Sequence, residues 1–470
     1  MTTSTQSVDT PLHHRSAADL SAGYAAGHLS PVDVVEAVIA RVEEKEPVLN
    51  AFYRFEPEAA RAAARASAHR WADGAQLGPL DGVPVTLKEN IAVKGLPMPG
   101  GTAARDAVVA DHDAPITERV REAGGVVLGT TTMPDWGMLS SGVSSLHGIS
   151  RNPWNPAWTT GGSSAGAGAA AAAGYAPLNV GTDIGGSVRL PATWQGLVAL
   201  KPSAGRIALD TPYLGRAAGP LTRTVADAAA VMGILSLPDV RDYTRMPYQD
   251  IDWADLDRDV RGLRIGVHTD AGAGAITDRE VATAVEQAVD VFADAGAEIV
   301  EIPPFINQGL LDDLDDFWRV RFYAQYRAMA PAEQRQVLPY IAQWCARGGT
   351  LDGATAVEKY DSIAEMRRAT ILATSGFDLV LSPVAPMAAF PAEQPMPFSD
   401  PETTMTHIAF TVPYNMSGQP ASSVNCGFTS DGRPIGLQIA GRSFQDLAVL
   451  QATAWYEANR PADADPVWPA

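Results

Sequence analysis

Residues 159–191 read TTGGSSAGAGAAAAAGYAPLNVGTDIGGSVRLP and contain almost no bulky side chains. The alanines at 169–173 favour a helix, and side chains this small let neighbouring backbone approach closely. Glycine- and serine-rich loops lie on either side, at 161–164 and 185–187. Backbone N–H groups in such loops can bind an anion or an oxyanion. The stretch therefore predicts a loop, a buried helix and a second loop, with backbone N–H groups left available.

The rest of the chain alternates short apolar runs with helical patterns, which is typical of an α/β fold. LRIGV at 263–267 and EIVEI at 298–302 flank an amphipathic helical pattern that ends at Gly296. This order predicts two strands joined by a crossover helix. Another helix is predicted from Pro31, because Ser30 is a favourable N-cap and apolar residues follow at helical spacing. The other predicted strands are 83–87, 126–128, 378–382 and 435–440.

Two glycine patterns in the central stretch match motifs that their context does not support. GxGxxA at 166–171 is the spacing of a dinucleotide-binding loop. GxSxG at 162–166 is that of a hydrolase nucleophile elbow, for which His268 or His407 could supply the base. Both motifs require a strand directly before the loop. The preceding residues, NPAWTTGG at 155–162, read as a loop, so we disfavour both interpretations.

A lysine and two serines form a third candidate set. The predicted strand at 83–87 runs directly into Lys88, while Ser163 and Ser187 lie in the two glycine-rich loops. A lysine buried at the end of a strand has its pKa lowered by desolvation, so its neutral amine can act as a base without a histidine. On spacing alone, however, a surface lysine in a loop is the simpler interpretation of Lys88.

Several ordered segments together resemble the amidase signature family of Ser–cis-Ser–Lys hydrolases. The glycine- and serine-rich consensus of that family matches residues 161–191 with the correct spacing. The resemblance covers about residues 16–457 and is weakest at 305–375. It implies an α/β fold in which a large twisted mixed β-sheet is covered by α-helices on both faces. The other matching segments are PLDGVPVTLKEN (79–90), RNPW (151–154), LKPSAGR (200–206), GPLTRTVADAA (219–229), SGQPASSVNCG (417–427) and PIGLQIAGRSFQD (434–446).

The resemblance implies a role for each residue that matches the catalytic motif. Ser187 would be the nucleophile, Ser163 the bridging serine after a cis peptide bond, and Lys88 the base. A serine hydroxyl needs such a base because it is a poor nucleophile at its ordinary pKa. The backbone N–H groups of the oxyanion hole would be those of Ile184, Gly185, Gly186 and Ser187.

Three more residues match family positions around the nucleophile. The resemblance implies that Ser164 and Arg189 support the site and that Asp183 braces its loop. For Asp183 and Arg189, a purely structural role is an equally good interpretation.

The resemblance also implies a single domain from 16 to 457, with its catalytic core at about 79–229. Residues 1–15 are polar, and we expect them to be flexible. Between about 305 and 375 the pattern is helical and rich in aromatic residues. We interpret these aromatic side chains as core packing, with a pocket wall or lid as the alternative. They are Phe317, Trp318, Phe322, Tyr323, Tyr326 and Trp344.

Residues 129–142, GTTTMPDWGMLSSG, depart from the family pattern. Thr130 and Thr132 stand where the family commonly has Lys and Asn. The apolar side chains that follow could line the acyl pocket or simply pack a loop. We expect the substrate to be a small, uncharged, aryl-containing carboxamide, with carbamates (urethanes) and esters as further substrates of the same acyl-enzyme route. These apolar candidates for the pocket are Met133, Trp136, Met138 and Leu139.

We favour a stand-alone amidase, a hydrolase of linear amides, over two other functions that stay open. The glutaminase subunit of tRNA-dependent amidotransferases belongs to the same family. Residues 367–380, RRATILATSGFDLV, lack the Arg-rich, Gly-Thr-Tyr stretch that such subunits usually show. The alternative from a different class is a protein that binds an anion in the cradle without turnover. Lys88 argues against it, because a pure anion site would keep the lysine charged.

The charge of the chain argues against nucleic acid as a partner, including direct contact with tRNA. There are 35 Lys and Arg against 54 Asp and Glu, a formal net charge of −19, and the basic residues form no cluster. No stretch reaches the roughly 18 apolar residues that a membrane span needs. The first residues also lack the apolar segment of a signal peptide. We therefore expect a cytoplasmic protein with no membrane partner.

Neither a metal nor another cofactor is expected. Cys345 and Cys426 belong to no CxxC or Cys/His pattern, which argues against a zinc site and a disulfide framework. The acidic runs at 249–259 and 312–316 lack the glycine and terminal glutamate of a calcium loop, so we interpret them as solvated faces. The expected ligands are a small-molecule amide and water, bound by a monomer or a homodimer.

Overall fold

Fifteen β-strands lie within residues 10–469, the part of the chain that this computed structural model describes. Each of the six apolar runs predicted from the sequence forms one of them, to within one to three residues at its ends. The strands are β1 Phe52–Phe55, β2 Pro84–Lys88, β3 Pro97–Met98, β4 Val108–Val109, β5 Val126–Thr131, β6 Val143–Ser144, β7 Gly148–Ile149, β8 Leu178–Asp183, β9 Val198–Lys201, β10 Ala217–Thr222, β11 Arg264–Val267, β12 Glu298–Glu301, β13 Leu379–Pro383, β14 Ala421–Phe428 and β15 Pro434–Gly441.

Fourteen α-helices accompany these strands within the described residues. The helix predicted from Pro31 is confirmed, and the Ser30 side chain accepts a hydrogen bond from the Val32 N–H as its N-cap. The helices are α1 Ala17–Ala25, α2 Pro31–Leu49, α3 Pro57–Ala72, α4 Pro115–Glu122, α5 Ala165–Ala173, α6 Arg189–Trp194, α7 Val225–Leu235, α8 Arg279–Asp294, α9 Gln308–Tyr326, α10 Pro331–Gln334, α11 Pro339–Ala346, α12 Gly353–Thr374, α13 Val412–Ser417 and α14 Asp446–Asn459.

Eleven of the strands form one mixed sheet, in the order β1-β5-β2-β8-β10-β9-β14-β15-β13-β11-β12. The predicted crossover is confirmed, because β11 and β12 are parallel neighbours and α8 joins them. In the middle of the sheet, β2 runs parallel to both β5 and β8. The carboxyl ends of β2 and β8 therefore lie at the same edge, which brings Lys88 close to the loop that follows Asp183.

Helices cover the sheet on both faces, as the short strand β9 illustrates. Val198 and Leu200 pack into the largest hydrophobic cluster together with residues of α7. Ala199, whose side chain points to the opposite face, packs with Ala167 and Ala171 of α5. Every residue of α5 is buried. The predicted buried helix is therefore confirmed, and its alanines and glycines let it lie directly against the sheet.

Helices α9 to α12 form a bundle that adjoins the sheet. Their aromatic and aliphatic side chains build a second hydrophobic cluster, which includes Trp318, Phe322 and Trp344. The expectation of a helical region at 305–375 is thus confirmed, and packing accounts for most of its aromatic residues.

The solvated face expected at 312–316 is wrong for two of its carboxylates. Asp315 and Asp316 are buried, and Asp315 accepts hydrogen bonds from Arg319 Nε at 2.8 Å and Trp344 Nε1 at 2.8 Å. Asp316 pairs with Arg347 at 2.9 Å. Burial raises the pKa of Asp315 to about 6, although the charge of Arg319 opposes that rise. The acidic run thus holds the bundle together through ion pairs that spacing alone does not reveal.

The ends of the chain add little to the sheet. Residues 1–9 of the segment expected to be flexible, 1–15, lie outside the described residues. In the rest of that segment, Leu12–His14 form one 3-10 turn. The His13 carbonyl accepts a hydrogen bond from Arg223 at 3.1 Å. Within residues 10–469, no helix combines the length and the apolar character that crossing a membrane requires.

We expect Arg319→Ala to lower the free energy of unfolding by about 3–5 kcal/mol, because Asp315 would stay buried without its cationic partner. Denaturant unfolding followed by circular dichroism measures this change. Arg368→Ala is the matched control on α12, where the side chain is exposed, and should change the value by less than about 0.5 kcal/mol. Equal stabilities for the two variants would contradict the role given to the ion pair.

Candidate active site

The loop before α5 can be built only from small residues. Gly161 has a φ of 73°, which favours glycine, and a Cβ atom there would lie 2.8 Å from Pro191. A Cβ atom on Gly162 would lie 2.6 Å from the Leu139 carbonyl oxygen. The peptide bond between Gly162 and Ser163 is cis. The glycines thus place the Ser163 side chain directly below the end of β2.

Lys88, the last residue of β2, is fully buried between β5 and β8. Its Nζ donates hydrogen bonds to Ser163 Oγ at 2.8 Å and to Ser164 Oγ at 3.1 Å. Burial lowers the pKa of Lys88 to about 7, and the nearby charge of Arg216 contributes. A surface lysine in a loop is therefore the wrong interpretation. The amine is poised to exchange a proton with a serine hydroxyl near neutral pH.

Ser187 lies in the second glycine-rich loop, between β8 and α6. The two loops meet here, since the Ser164 N–H donates to the Ser187 carbonyl at 3.2 Å. Among the described residues no hydrogen bond joins the hydroxyls of Ser163 and Ser187. Catalytic hydrogen bonds are often long before substrate binds and shorten in the complex. The structure thus brings the three predicted catalytic residues into one site, with the Lys88–Ser163 contact already made.

Of the four backbone N–H groups predicted to form the oxyanion hole, one has a partner within the protein. The Gly186 N–H donates to Asp183 Oδ1 at 2.7 Å and is occupied. The N–H groups of Ile184, Gly185 and Ser187 have no hydrogen-bond partner among residues 10–469. These three are the donors that a developing oxyanion could reach.

Asp183 and Arg189 form a buried ion pair beneath this loop. Arg189 donates from Nε and Nη2 to the two carboxylate oxygens of Asp183, each at 3.0 Å. Although burial opposes ionisation, the charge of Arg189 holds the pKa of Asp183 well below its usual value. Arg189 also binds Gln438 at 2.8 Å and Asn415 at 2.6 Å. Since the donors of Arg189 are engaged within the protein, the pair fixes the shape of the loop.

Ser164 also has a structural role, because it fixes the loop before α5 next to Lys88. Its Oγ donates to the Thr182 carbonyl at 3.2 Å and accepts from the Thr182 N–H at 3.3 Å. Together with the bond from Lys88, these contacts connect the loop before α5 to the end of β8. The supporting role implied for Ser164 is consistent with this position.

A pocket of about 160 Å³ opens beside Ser187. Of the four apolar residues predicted to line it, Trp136, Met138 and Leu139 do so. Met133 does not, because it is buried behind Gly137, where a Cβ atom would lie 3.1 Å from its methyl carbon. The other lining residues are Gly137, Ser140, Ile184, Gly185, Trp318, Arg321, Phe322, Gln325, Met405 and Ile408.

The helical bundle supplies one wall of this pocket, and the run of aromatic residues at 305–375 is the sequence feature that indicates it. Trp318 and Phe322 belong both to the hydrophobic cluster and to the pocket wall. Core packing, the preferred interpretation, is thus right but incomplete for these two. Nothing in the spacing marks Ser140 or Arg321, which reach the pocket only through the tertiary fold.

The two competing motifs have no structural support. No strand directly precedes Gly162 within the described chain, since β7 ends at Ile149. Burial lowers the pKa of His268 to about 4 and that of His407 to about 3. His407 Nε2 is bonded to Ser140 Oγ at 2.8 Å, and among the described residues it makes no hydrogen bond to Ser163 or Ser187. Among the described residues, no three His, Cys, Asp or Glu side chains are grouped to hold a metal ion.

Comparison with known proteins shows the family to which the chain belongs. Residues 33–450 match the family model described as Amidase. An acylamidase of Rhodococcus erythropolis is 35% identical over 467 residues, covering 97% of this chain and 98% of that protein. A Glutamyl-tRNA(Gln) amidotransferase subunit of Chloroflexus aurantiacus is 33% identical, covering 95% of this chain and 97% of that one.

The fold is also close to that of a solved structure. The crystal structure of a bacterial aryl acylamidase of the amidase signature enzymes superimposes with a TM-score of 0.87 at 27% sequence identity, covering 96% of this chain and 97% of that one. The implied α/β fold, a large mixed sheet covered by helices, is thereby confirmed, and the sheet has eleven strands. The chain therefore belongs to the amidase signature family and is a hydrolase that acts on amides.

Proposed function

We propose that this amidase cleaves its substrate through an acyl-enzyme on Ser187, with Lys88 as the base and Ser163 as the proton bridge between them. The observation that carries the proposal is the 2.8 Å hydrogen bond from the buried Lys88 amine to Ser163 Oγ. A fully buried lysine that is not paired with a carboxylate is easily deprotonated, and the Lys88 amine donates to two serine hydroxyls.

The proton moves in two linked transfers. Neutral Lys88 accepts the proton of Ser163 while Ser163 accepts that of Ser187, and the Ser187 oxygen attacks the amide carbon. The N–H groups of Ile184, Gly185 and Ser187 stabilise the oxyanion, an effect of about 10²–10³ in rate per donor. The proton then returns through Ser163 to the leaving amine. Water attacks the acyl-enzyme by the same route and releases the acid.

We further propose that an uncharged group of aryl size occupies the pocket. A cavity of about 150 Å³ with an apolar lining holds one benzene ring, and this pocket has about 160 Å³. Its walls carry the rings of Trp136, Trp318 and Phe322. The names of two similar proteins, acylamidase and aryl acylamidase, support the same substrate class. Esters and carbamates with such groups are further candidates, because they form the same acyl-enzyme.

The similarity to tRNA-dependent amidotransferases keeps glutaminase chemistry as a second candidate. Against it stand the absent Arg-rich, Gly-Thr-Tyr stretch at 367–380 and the net charge of −19, which disfavours contact with tRNA. The non-catalytic anion-binding alternative is wrong, because the chain is a hydrolase that acts on amides.

We expect Ser187→Ala to lower kcat for 4-nitroacetanilide by about 10⁴-fold or more, because the nucleophile is lost. Release of 4-nitroaniline by the purified variant measures this. Ser375→Ala, on an exposed position after α12, is the control and should retain activity. Undiminished turnover by folded Ser187→Ala protein would overturn the proposal.

The rate should depend on pH through Lys88. Below a pKa of about 7 the amine is protonated and cannot accept the Ser163 proton, so kcat/KM should fall about tenfold per pH unit and level off above that pKa. A profile of kcat/KM with a neutral anilide, from about pH 5 to about pH 9, measures this.

Lys201 provides a matched control for that profile. It is also fully buried with its pKa lowered by burial to about 7, but its Nζ donates to the Pro202 carbonyl at 2.8 Å. The inflection should therefore persist in Lys201→Met and disappear with the activity in Lys88→Met. A profile without an inflection in the wild-type enzyme would count against Lys88 as the base.

A further inference from the structure

One arginine, Arg321, lines the pocket, and a second, Arg216, lies directly before β10. Arg216 directly precedes β10, whose first residue Ala217 pairs with Asp183, the residue before the oxyanion loop. Arg321 is on α9, is exposed to solvent and lines the pocket together with Ser187. One arginine thus approaches the site from the sheet and the other from the helical bundle.

Tyr213 contacts both arginines, one through its ring and the other through its backbone. The Arg321 guanidinium carbon lies 3.8 Å from the centre of the Tyr213 ring, a cation–π contact. The backbone N–H of Arg216 donates to the backbone carbonyl of Tyr213 at 2.9 Å. Burial lowers the pKa of Arg216, and the charge of Arg321 lowers it further. The cation–π contact thus places the Arg321 guanidinium against the turn that leads into Arg216.

Neither guanidinium pairs with a carboxylate among the described residues. Arg216 makes one long hydrogen bond, from Nη1 to the Thr211 carbonyl at 3.4 Å. By contrast Arg319, two residues from Arg321, binds Asp315 at 2.8 Å and Glu402 at 3.0 Å. The chain has 54 acidic residues, yet none in its described part lies within ion-pair distance of either guanidinium. Several N–H donors there remain free for a ligand.

We propose that Arg216 and Arg321 bind a carboxylate that the amide substrate carries outside the pocket. Guanidinium groups match the planar geometry of a carboxylate and form charge-assisted hydrogen bonds with it. The inference rests on the proposed function, since it requires that an amide be bound at Ser187. It departs from the uncharged substrate expected from the sequence, because the group in the pocket is uncharged but the whole substrate is anionic.

The binding of a carboxylate has a consequence for the chemistry. Burial lowers the pKa of Lys88, the charge of Arg216 lowers it further, and the charges of Asp183 and Glu89 oppose the shift. A carboxylate bound to Arg216 offsets that charge, and a negative charge favours the protonated amine. The inflection of kcat with an anionic substrate should therefore lie at higher pH than with its neutral analogue.

Two pairs of matched amides test the proposal. In the first pair the carboxylate is on the acyl side, as succinyl-4-nitroanilide against butyryl-4-nitroanilide. In the second it is on the amine side, as 4-acetamidobenzoate against 4-methylacetanilide. We expect one pair to favour the carboxylate by about tenfold in kcat/KM, mainly through KM, as for a charge-assisted hydrogen bond.

Arg321→Gln should abolish that preference, and because Arg321 is exposed the variant is expected to fold. Arg327→Gln removes the same charge from an exposed position just after α9, outside the pocket lining, and should keep the preference. The inference is overturned if both pairs are cleaved without preference for the anion, or if Arg321→Gln retains the preference.

Calorimetric binding to the Ser187→Ala variant separates this inference from the proposed function. Tighter binding of the anionic member, lost in the double variant with Arg321→Gln, would support the arginine pair even if turnover did not depend on Ser187. Equal binding of both members would refute the arginine pair while Ser187-dependent hydrolysis stood.

Discussion

A lysine amine without access to solvent is the constraint on which the site depends. Lys88 is fully buried, and its side-chain partners are the hydroxyls of Ser163 and Ser164. Burying a charged ammonium is costly unless it is paired, so the surroundings favour the neutral amine. The hydroxyls can approach only because the Gly161–Gly162 backbone packs against its neighbours without side chains. The absence of bulk at 159–191 is therefore a requirement of the chemistry as well as of the fold.

Buried contacts within the protein fix the loop that carries Ser187. The buried ion pair of Asp183 and Arg189 orders the loop, and the same carboxylate occupies the Gly186 N–H. The neighbouring N–H groups remain free for an oxyanion. Such preorganised dipoles avoid reorganisation during the reaction, which makes them effective in stabilising developing charge. Arg189 thus acts through Asp183 and the loop. The contacts that give it a structural role are the same ones by which it would support the site.

Much of the fold could be predicted because local patterns determine it, whereas the candidate catalytic residues were predicted from the family resemblance. The apolar run before Lys88 forms a strand, and the alanines of α5 form a buried helix. Features that depend on contacts between distant segments could not be predicted. The burial of Asp315 depends on Arg319 and on Trp344 of another helix. An apolar side chain such as Met133 suits both a pocket wall and the core behind it, and only the fold shows that Met133 packs behind the pocket.

The formation of an acyl-enzyme on Ser187 is the central claim, and direct trapping tests it most clearly. A 4-nitrophenyl carbamate of an aryl amine would transfer its carbamoyl group to the nucleophile and release 4-nitrophenol. Because a carbamoyl-enzyme hydrolyses slowly, mass spectrometry of the digested protein can locate the group. We expect a single modified site, Ser187, and no modification of Lys88→Met protein on the same timescale. Modification of Ser163 or Ser140 instead, or turnover without any modified residue, would contradict it.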